Sequence, residues 1–414
     1  MKLISFAEPM LEKLKQANQL AQQIQETEIQ KYILKNPQKL DAEMLRLVAD
    51  QWLARQKAKH KLPSWSANEK VIFPPPLSVE QASSEITASY KAEIFARNFG
   101  NEKCADLTGG MGLDSWALAK VTDSVTYIEQ NTNLSLVAKY NFEVLAQNNI
   151  EVLNENSVLF THSLNQERAA NRINHYYLDP HRRDDAKNKV FKIEDCEPNL
   201  LEIKHLLPNF MVKFSPMLDI KLAIEQIQNI TEVHIVAIEN EVKELLFVSK
   251  KPSTSIINKT VIYCINFASN NVQQVFEFDF ESEEKNSVKH SQPNTYIYEP
   301  NAAILKAGAF KSIATHFNLA KIAPNSHLYT SESLVENFAG RSFICKAVCK
   351  FDKKEILSKL PSPKANISTR NFPMKPEEIK KKLGLQDGGE YYLFATESSE
   401  KQKIVLICRK VGQA

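Results

Sequence analysis

Glycine is scarce in this sequence and is concentrated at one place. Only 10 of the 414 residues are glycine, which is about a third of the usual share of roughly 7%. Three of these ten, Gly109, Gly110 and Gly112, fall within four consecutive positions. Glycine is required where the backbone adopts a positive φ or where a ligand must approach the main chain closely. The cluster therefore predicts a turn that is shaped around a ligand.

A β-strand and a helix flank this glycine turn in the predicted secondary structure. The segment from Lys103 reads K-C-A-D-L-T-G-G-M-G-L-D, with a strand ending near Asp106 and a helix beginning near Asp114. Ligands of open α/β sheets bind at the carboxyl ends of strands, and a helix N-terminus favours anionic or polar groups. Neither the dinucleotide pattern G-x-G-x-x-G nor the phosphate loop G-x-x-x-x-G-K-S/T is met.

A carboxylate stands at the end of the next predicted strand. Glu129 lies 23 residues after Asp106, in V-T-Y-I-E-Q. A carboxylate at this place can accept hydrogen bonds from both hydroxyls of a ribose. Strand, glycine turn and distal carboxylate therefore favour a nucleoside site. The alternative is a tight structural turn followed by an unrelated surface glutamate.

With these residues, the chain resembles the class I S-adenosylmethionine-dependent methyltransferases over about residues 95–280. Asp106 and the three glycines match the first motif of that family, Glu129 matches its ribose-binding acid, and Asn156 stands where many members have an aspartate near the adenine. The resemblance implies that S-adenosyl-L-methionine is the cofactor and that the cofactor-binding residues are Asp106, Thr108, Gly109, Gly110, Gly112, Asp114, Glu129 and Asn156.

A second motif, Y-Y-L-D-P-H-R-R-D-D, resembles the fourth motif of the same family, which lies beside the transferred methyl group. It gives Asp179, Pro180, Arg182 and Arg183 as the candidate catalytic residues. Asp179 can accept a hydrogen bond from the group that is methylated, and the two arginines can clamp a phosphate or carboxylate; the alternative is an exposed charged turn. Cys196 stands between two acidic residues, which disfavour its thiolate. We therefore expect direct in-line transfer without a cysteine nucleophile.

Two further segments are candidates for the walls of the pocket. Ser83, Ser84 and Glu85, with Lys91 a few residues on, could cap the pocket from the helical side, and an ordinary solvated helix face is an equal alternative. K-F-S-P-M-L-D places Lys213 at the end of another strand, on the edge of the sheet where ligands bind.

The order of predicted elements indicates an α/β fold: a Rossmann-like methyltransferase sheet with a helical N-terminal region and a small α+β C-terminal part. One helix is predicted over about residues 79–98, capped by Ser78 and Gln81. Glu281–Ser291 is expected to be a linker or the tip of a long hairpin. The layout resembles a bacterial group of methyltransferases with ferredoxin-like and THUMP-like C-terminal domains. The predicted segments are a helical region at 1–95, the methyltransferase domain at 96–280, a ferredoxin-like segment at 281–326 and a THUMP-like domain at 327–414.

Charge and cysteine content narrow the class of protein. The chain has 52 Lys+Arg against 49 Asp+Glu, so bulk positive charge does not indicate nucleic-acid binding. We expect no metal, no membrane segment and a cytoplasmic location, because no Cys/His cluster, no long apolar run and no C-x-x-C occurs. The THUMP-like resemblance implies structured RNA, tRNA or rRNA, as the partner. A protein or small-molecule substrate, or a non-catalytic cofactor-binding scaffold, are the alternatives. These motifs specify neither the acceptor atom nor an oligomeric state.

Overall fold

The N-terminal region is helical, as the sequence predicts, and its described residues form six helices before the first strand. A computed structural model describes residues 8–25, 28–164, 173–182, 192–251, 259–269 and 272–412. Small and branched side chains such as Ala17 and Val48 form a core between the first and third helices. The six helices are α1 (Glu8–Gln22), α2 (Ile29–Lys35), α3 (Ala42–Lys61), α4 (Pro63–Ala67), α5 (Pro76–Gln81) and α6 (Glu85–Phe99).

The single helix predicted over about residues 79–98 is wrong at its start. The chain instead forms the short helix α5, leaves helical geometry at Ala82, and begins α6 after Ser84. The capping box expected at Ser78 is made by Ser84 and Thr87, whose side chains bond each other's backbone amides. The break matters for the site, because it lies beside the glycine turn.

A parallel sheet follows, with the strand order β7-β4-β1-β2-β3 among its first-unit members. The order reverses next to β1, which is where α/β sheets bind ligands. A two-stranded antiparallel ribbon, β5 with β6, follows the carboxyl end of β4. These elements are β1 (Cys104–Asp106), α7 (Leu113–Leu118), β2 (Val125–Ile128), α8 (Thr132–Val144), β3 (Ile150–Leu153), α9 (Ser157–Leu164), β4 (His175–Leu178), β5 (His181–Arg182), β6 (Cys196–Glu197), α10 (Leu200–Ile203), β7 (Asn209–Phe214) and α11 (Ile220–Ile227).

The chain divides into two compact units. The first comprises Met1–Ile230 and Phe247–Ile257, and the second Thr231–Leu246 and Asn258–Ala414. The division falls within the strand β9 (Glu241–Lys250). The four predicted segments, 1–95, 96–280, 281–326 and 327–414, stay a prediction.

In the second unit, β10 pairs in parallel with β8 and antiparallel with β11. Glu281–Ser291 is neither wholly a linker nor a hairpin tip, because its first residues are helical. The elements are β8 (Ile230–Ile238), β10 (Val261–Phe267), β11 (Gln273–Phe278) and α12 (Phe280–Lys285).

A seven-stranded sheet with the order β13-β14-β12-β15-β18-β17-β16 completes the second unit. All its neighbouring strands are antiparallel except β16 and β17. From β15 onward, the order of elements is strand, helix, strand, helix, strand, strand. The elements are β12 (Tyr296–Pro300), α13 (Ala302–Ala307), α14 (Ser312–His316), β13 (Ala320–Lys321), β14 (Tyr329–Ser331), β15 (Gly340–Lys350), α15 (Lys353–Ser358), β16 (Asn366–Arg370), α16 (Pro376–Leu383), β17 (Tyr391–Glu397) and β18 (Lys403–Lys410).

None of the described helices combines the length and the apolar character that a membrane span needs. Within the described ranges, no group of three or more His, Cys, Asp or Glu side chains is placed to hold a metal ion.

Candidate cofactor and transfer site

The glycine turn runs from the end of β1 to the start of α7. Gly110 and Gly112 have φ values of +52° and +89°, which side chains other than glycine rarely adopt. Gly109 is required for a different reason, because a Cβ there would lie 2.3 Å from Cε2 of Tyr127. The Tyr127 hydroxyl donates to the Gly110 carbonyl at 2.7 Å. The turn is therefore pressed against β2, and its main chain faces the open side.

Asp106 lies beneath this turn and is 1% exposed. Its carboxylate accepts from the backbone N–H of Thr108 at 3.0 Å and from the Ser115 hydroxyl at 2.6 Å. Burial raises the pKa of Asp106 to about 7, against the effect of these hydrogen bonds. Asp106 thus fixes the start of the turn and of α7, and its side chain does not line the open cleft.

Glu129, at the end of β2, holds two main-chain amides. Its carboxylate accepts from Gly110 N at 2.9 Å and from Asn131 N at 2.7 Å. Asn154 supports the same corner, since its amide donates to the carbonyls of Glu129 and Gln130. A carboxylate has about four lone-pair positions, so Glu129 can accept hydrogen bonds from a ligand while it fixes the turn.

Asn156 caps a helix, a role that its position in the sequence did not indicate. Its Oδ1 accepts from the backbone N–H groups of Val158 and Leu159 at the start of α9, and its Nδ2 donates to Gln130 at 3.1 Å. Asn156 is thus a helix cap. It also lines the cleft beside Gln130.

Asp179 follows β4 and lies next to the turn. Its backbone N–H donates to the Thr108 hydroxyl at 2.6 Å, which joins the ends of β1 and β4. Its carboxylate forms an ion pair with Lys213 from the end of β7. The sequence placed both residues at this edge of the sheet, and the structure brings them together.

Asp114, in the first turn of α7, forms an ion pair with Lys91 of α6 at 2.7 Å. The hydroxyls of Ser83 and Tyr177 donate to its other oxygen at 3.1 and 2.9 Å. Burial opposes ionisation of Asp114, but the charges of Lys91 and Lys213 and the hydrogen bonds outweigh it and hold the pKa of this carboxyl below its ordinary value. Lys91 is 1% exposed, so the alternative of a solvated helix face is wrong for this residue.

An open cleft of about 470 Å³ lies beside the glycine turn and is lined by several of the residues described above. Its size is in the usual range for small-molecule sites. Its walls include the turn from Leu107 to Leu113, apolar side chains, and residues of α5 and of the break that follows it. Predicted residues that line it are Thr108, Gly109, Gly110, Gly112, Asp114, Glu129, Asn156 and Asp179.

The remaining predicted residues do not line this cleft. Pro180 follows Asp179 without facing the opening, and Arg182 lies 3.8 Å from the carboxylate of Asp195. Arg183 lies outside the described residues. Cys196 is fully buried, in agreement with a reaction that does not use it as a nucleophile. The predicted arginine clamp stays a prediction.

Four residues contact the predicted site residues without being among the catalytic or cofactor-binding residues that the sequence predicts. They are Ser83, Lys91, Tyr177 and Lys213. Their signals are weak in sequence, because a Lys or Tyr inside a predicted element reads as an ordinary surface or core residue. The sequence indicated the places of Lys213, at a strand end, and of Ser83 and Lys91, just before the first strand, but not that of Tyr177.

Fold and cleft together define a Rossmann-like α/β protein with an open cleft at the switch point of its parallel strands. Two family models match the second unit: a ferredoxin-like domain over residues 296–338 and a THUMP domain-like family over residues 340–410. The first range starts and ends later than the predicted 281–326 segment. A comparison with proteins of curated function gives no significant match.

Among solved structures, the chain is 30% identical to a protein from Porphyromonas gingivalis W83 that is described as a "putative methyltransferase". The match covers 97% of this chain and 98% of that chain, with a TM-score of 0.85. The chain therefore belongs to this methyltransferase family, in which ferredoxin-like and THUMP-like domains accompany the Rossmann-like sheet. The predicted family resemblance and fold class are confirmed.

Two more distant structures also match. One is a "putative RNA methyltransferase" from Pyrococcus horikoshii, at 16% identity over 47% of this chain and 99% of that chain, with a TM-score of 0.32. The other is a SAM-dependent methyltransferase from Agrobacterium tumefaciens, at 12% identity over 48% of this chain and 60% of that chain, with a TM-score of 0.31. These TM-scores are too low to assign a function.

Proposed function

We propose that this protein transfers a methyl group from S-adenosyl-L-methionine to structured RNA, tRNA or rRNA, in the cytoplasm. The observation that carries the proposal is the cleft, whose groups suit each part of this donor. Glu129 retains acceptor positions for ribose hydroxyls, Asp114 is an anion for an ammonium group, and Ile128, Leu134 and Val158 supply apolar wall for a flat base.

Three residues at the edge of the cleft have a part in this reaction. The donor supplies an electrophilic methyl group on a sulfonium. Asp179 accepts a hydrogen bond from the attacking N–H or O–H of the acceptor and orients it in line, while Pro180 stiffens the turn that carries Asp179. Lys213 fixes the Asp179 carboxylate through their ion pair. Positioning and electrostatics thus supply the catalysis.

The charge distribution supports RNA as the acceptor. Residues 340–410 contain 16 Lys+Arg against 8 Asp+Glu, an excess of 8, whereas the whole chain has an excess of only 3. Most of these lysines are exposed on β15, α15, α16 and the loops beside them. The exposed ones in these elements are Lys346, Lys350, Lys353, Lys354, Lys359, Lys364, Lys375, Lys381 and Lys382. A surface of this kind binds phosphates. Free thiols at all six cysteines suit the cytoplasm.

Methyl transfer from tritium-labelled donor tests the proposal. RNA, protein and small-molecule fractions from cells that lack the gene serve as acceptors, so that the natural site is unmodified. We expect label in RNA, and modified-nucleoside analysis then identifies the base. Asp179→Asn is expected to retain donor binding but to lower transfer by about a hundredfold or more, while Glu80→Gln, in an exposed ion pair with Lys57, serves as the unchanged control.

Label in the protein or small-molecule fraction alone would replace RNA by that substrate class. Tight donor binding without label in any fraction would indicate a scaffold and overturn the enzymatic proposal.

A further inference from the structure

A second cleft lies on the opposite edge of the parallel sheet from the glycine turn. It encloses about 380 Å³ and is lined by the loop before β7, the turn after α11 and the end of β9, all of which belong to the first unit. Because β7 runs parallel to β4 and β1, its six residues, at roughly 3.3 Å each, place this cleft about 20 Å from the edge that carries the turn. The two clefts share no lining residue.

Every charged side chain that lines the second cleft is basic. These side chains are Lys204, His205, Lys250 and Lys251. Lys204 is engaged, since it donates to two carbonyls in the last turn of α11 at 2.7 and 3.0 Å. The end of β9 is also fixed, because the backbone N–H of Lys251 donates to Asn209 Oδ1 at 3.1 Å. Within the described ranges, the ammonium groups of Lys250 and Lys251 form no ion pair. Unbalanced positive charges in one cleft repel each other, so the cleft favours an anionic ligand.

The second cleft also has an apolar floor. Leu207, Phe210 and Ile227 line it and are buried, whereas His205 and Lys251 are exposed at its rim. Its volume is in the usual range for sites of small organic ligands. An inorganic anion gains nothing from apolar surface, but a ring that is attached to the anion does. A phosphate that carries a planar ring, as in a nucleotide, therefore suits both the rim and the floor.

Gln228, which lines the same cleft, has a strained backbone. Its φ and ψ are +65° and 165°, in a region that essentially only glycine adopts. The next residue, Asn229, has a φ of +51°. The hydrogen bonds of Lys204 hold the last turn of α11 and so support this geometry. Strain of this kind is concentrated at ligand sites, and here it accompanies two side-chain amides that can donate to and accept from the edge of a base.

We propose that the second cleft binds a nucleotide. Lys250 and Lys251 bind its phosphate, the apolar floor covers one face of its base, and the amides of Gln228 and Asn229 bind the edge of the base. A free mononucleotide and a nucleotide unit of an RNA chain share this chemistry. The inference does not depend on methyl transfer, because the second cleft has no residue in common with the cleft beside the glycine turn.

Calorimetry with uridine 5′-monophosphate tests the inference. S-adenosylhomocysteine is present throughout, so that the cleft beside the glycine turn is occupied. We expect uridine monophosphate to bind more tightly than uridine, which lacks the phosphate, and than ribose 5-phosphate, which lacks the base. Lys250→Gln with Lys251→Gln should weaken uridine monophosphate by about tenfold or more. The matched control is Lys31→Gln with Lys35→Gln, which removes the same charge from α2 of the same unit and should change the affinity by less than about twofold.

A hexauridylate probe distinguishes the two sources of the nucleotide. If the Lys250 and Lys251 double variant weakens hexauridylate as well, an RNA chain is the source, and if it weakens the monophosphate alone, a free nucleotide is the source. The inference is overturned if uridine monophosphate does not bind, if uridine or ribose 5-phosphate binds as tightly, or if both double variants weaken it equally. These outcomes do not involve methyl transfer, so failure of this inference and failure of the proposed function are distinguishable.

Discussion

The three glycines of the turn at positions 109, 110 and 112 serve different physical purposes. Gly110 and Gly112 supply positive φ values, whereas Gly109 supplies space for the ring of Tyr127. The sequence predicted the first purpose, because a glycine cluster between a strand and a helix is typical of such turns. It could not predict the second, because the neighbour of Gly109 comes from the following strand and is known only from the register of β1 and β2.

Gly109→Ala should therefore weaken the donor site by displacing the turn from Tyr127. We expect a loss of about 1–3 kcal/mol in the free energy of unfolding, as for other overpacked sites, and a loss of about tenfold or more in affinity for S-adenosylhomocysteine. Urea unfolding and calorimetry measure the two effects. Gly100→Ala is the control, because nothing lies within 4 Å of its Cβ and only its φ of +79° is unfavourable. Donor affinity equal to that of wild type in Gly109→Ala would contradict the role given to the turn.

The buried carboxyl of Asp106 links stability to pH. Its folded-state pKa of about 7 exceeds the value of about 3.9 in an unfolded chain. Between these values the folded state binds the extra proton, so stability falls as the pH rises from about 4 to 7 and then levels off. Asp114 has a lowered pKa, and its opposite contribution lies below this window.

Asp106→Asn is expected to remove this dependence, since an amide of the same shape does not titrate. Relative to the variant, the wild-type protein should lose up to about 4 kcal/mol of unfolding free energy between pH 4 and pH 7, from a difference of about three pKa units. Urea unfolding at several pH values measures the difference. A constant difference across that range would show that Asp106 stays ionised when folded.

Among the secondary-structure elements, the errors of prediction share one cause. The Ser78–Gln81 pattern resembles a helix start, but Pro76 begins α5 and the chain breaks before Ser84. Strand β9 was missed, because E-V-K-E-L-L-F-V-S-K has no alternation of polar and apolar residues. Residues 244–249 within it are all buried, as in a strand covered on both faces. Both outcomes depend on tertiary contacts that a local pattern does not contain.

Arg55 holds the N-terminal helices together by hydrogen bonds that cross between elements. From α3 its guanidinium donates to the carbonyls of Ser66 and Val71 and to the side chain of Asn18 in α1. Each bond to a charged group contributes about 1.5–3 kcal/mol at most. The bonds also fix the segment that leads toward α5.

Arg55→Met should therefore lower the free energy of unfolding by about 2–4 kcal/mol, because four acceptors, including the Glu69 carbonyl at 3.3 Å, lose their donor. Chemical denaturation monitored by circular dichroism measures the loss. Arg46→Met on the same helix is the matched control, since Arg46 is exposed and its removal should cost less than about 0.5 kcal/mol. Equal effects of the two substitutions would show that the Arg55 contacts contribute no net stability.

For the whole molecule, the sequence predicted the class of fold and most residues of the cleft, because the glycine turn, Glu129 and Asp179 all follow strands. Position along a strand is a local property, and a parallel sheet gathers strand ends at one edge. The partners of those residues were harder to predict. Lys91 and Tyr177 reach Asp114 from other elements, and Arg182 pairs with Asp195, which no spacing in the sequence indicates.

Charge is also distributed unevenly over the whole chain. The excess of 8 positive charges in residues 340–410, against 3 overall, leaves the rest of the chain with more acidic than basic residues. A protein that recognises RNA through one basic surface releases counterions from that surface alone. The salt dependence of RNA binding, compared between lysine variants, therefore identifies the lysines that contact phosphate groups.

Substitution of Lys353 and Lys354 by alanine, in the exposed first turn of α15, should weaken RNA binding uniformly across sequences. It should also make the slope of log affinity against log salt shallower by about 2, or about 1 for each phosphate that is no longer neutralised. The helix should remain stable, because lysines at a helix N-terminus are not favoured by its dipole. Filter binding at four salt concentrations measures the slope. Lys31→Ala with Lys35→Ala on α2 removes the same charge from the first unit and should leave the slope unchanged. Equal slopes for both double variants would mean that the THUMP-like part does not contact the RNA, and substrate recognition would then have to be sought on the first unit.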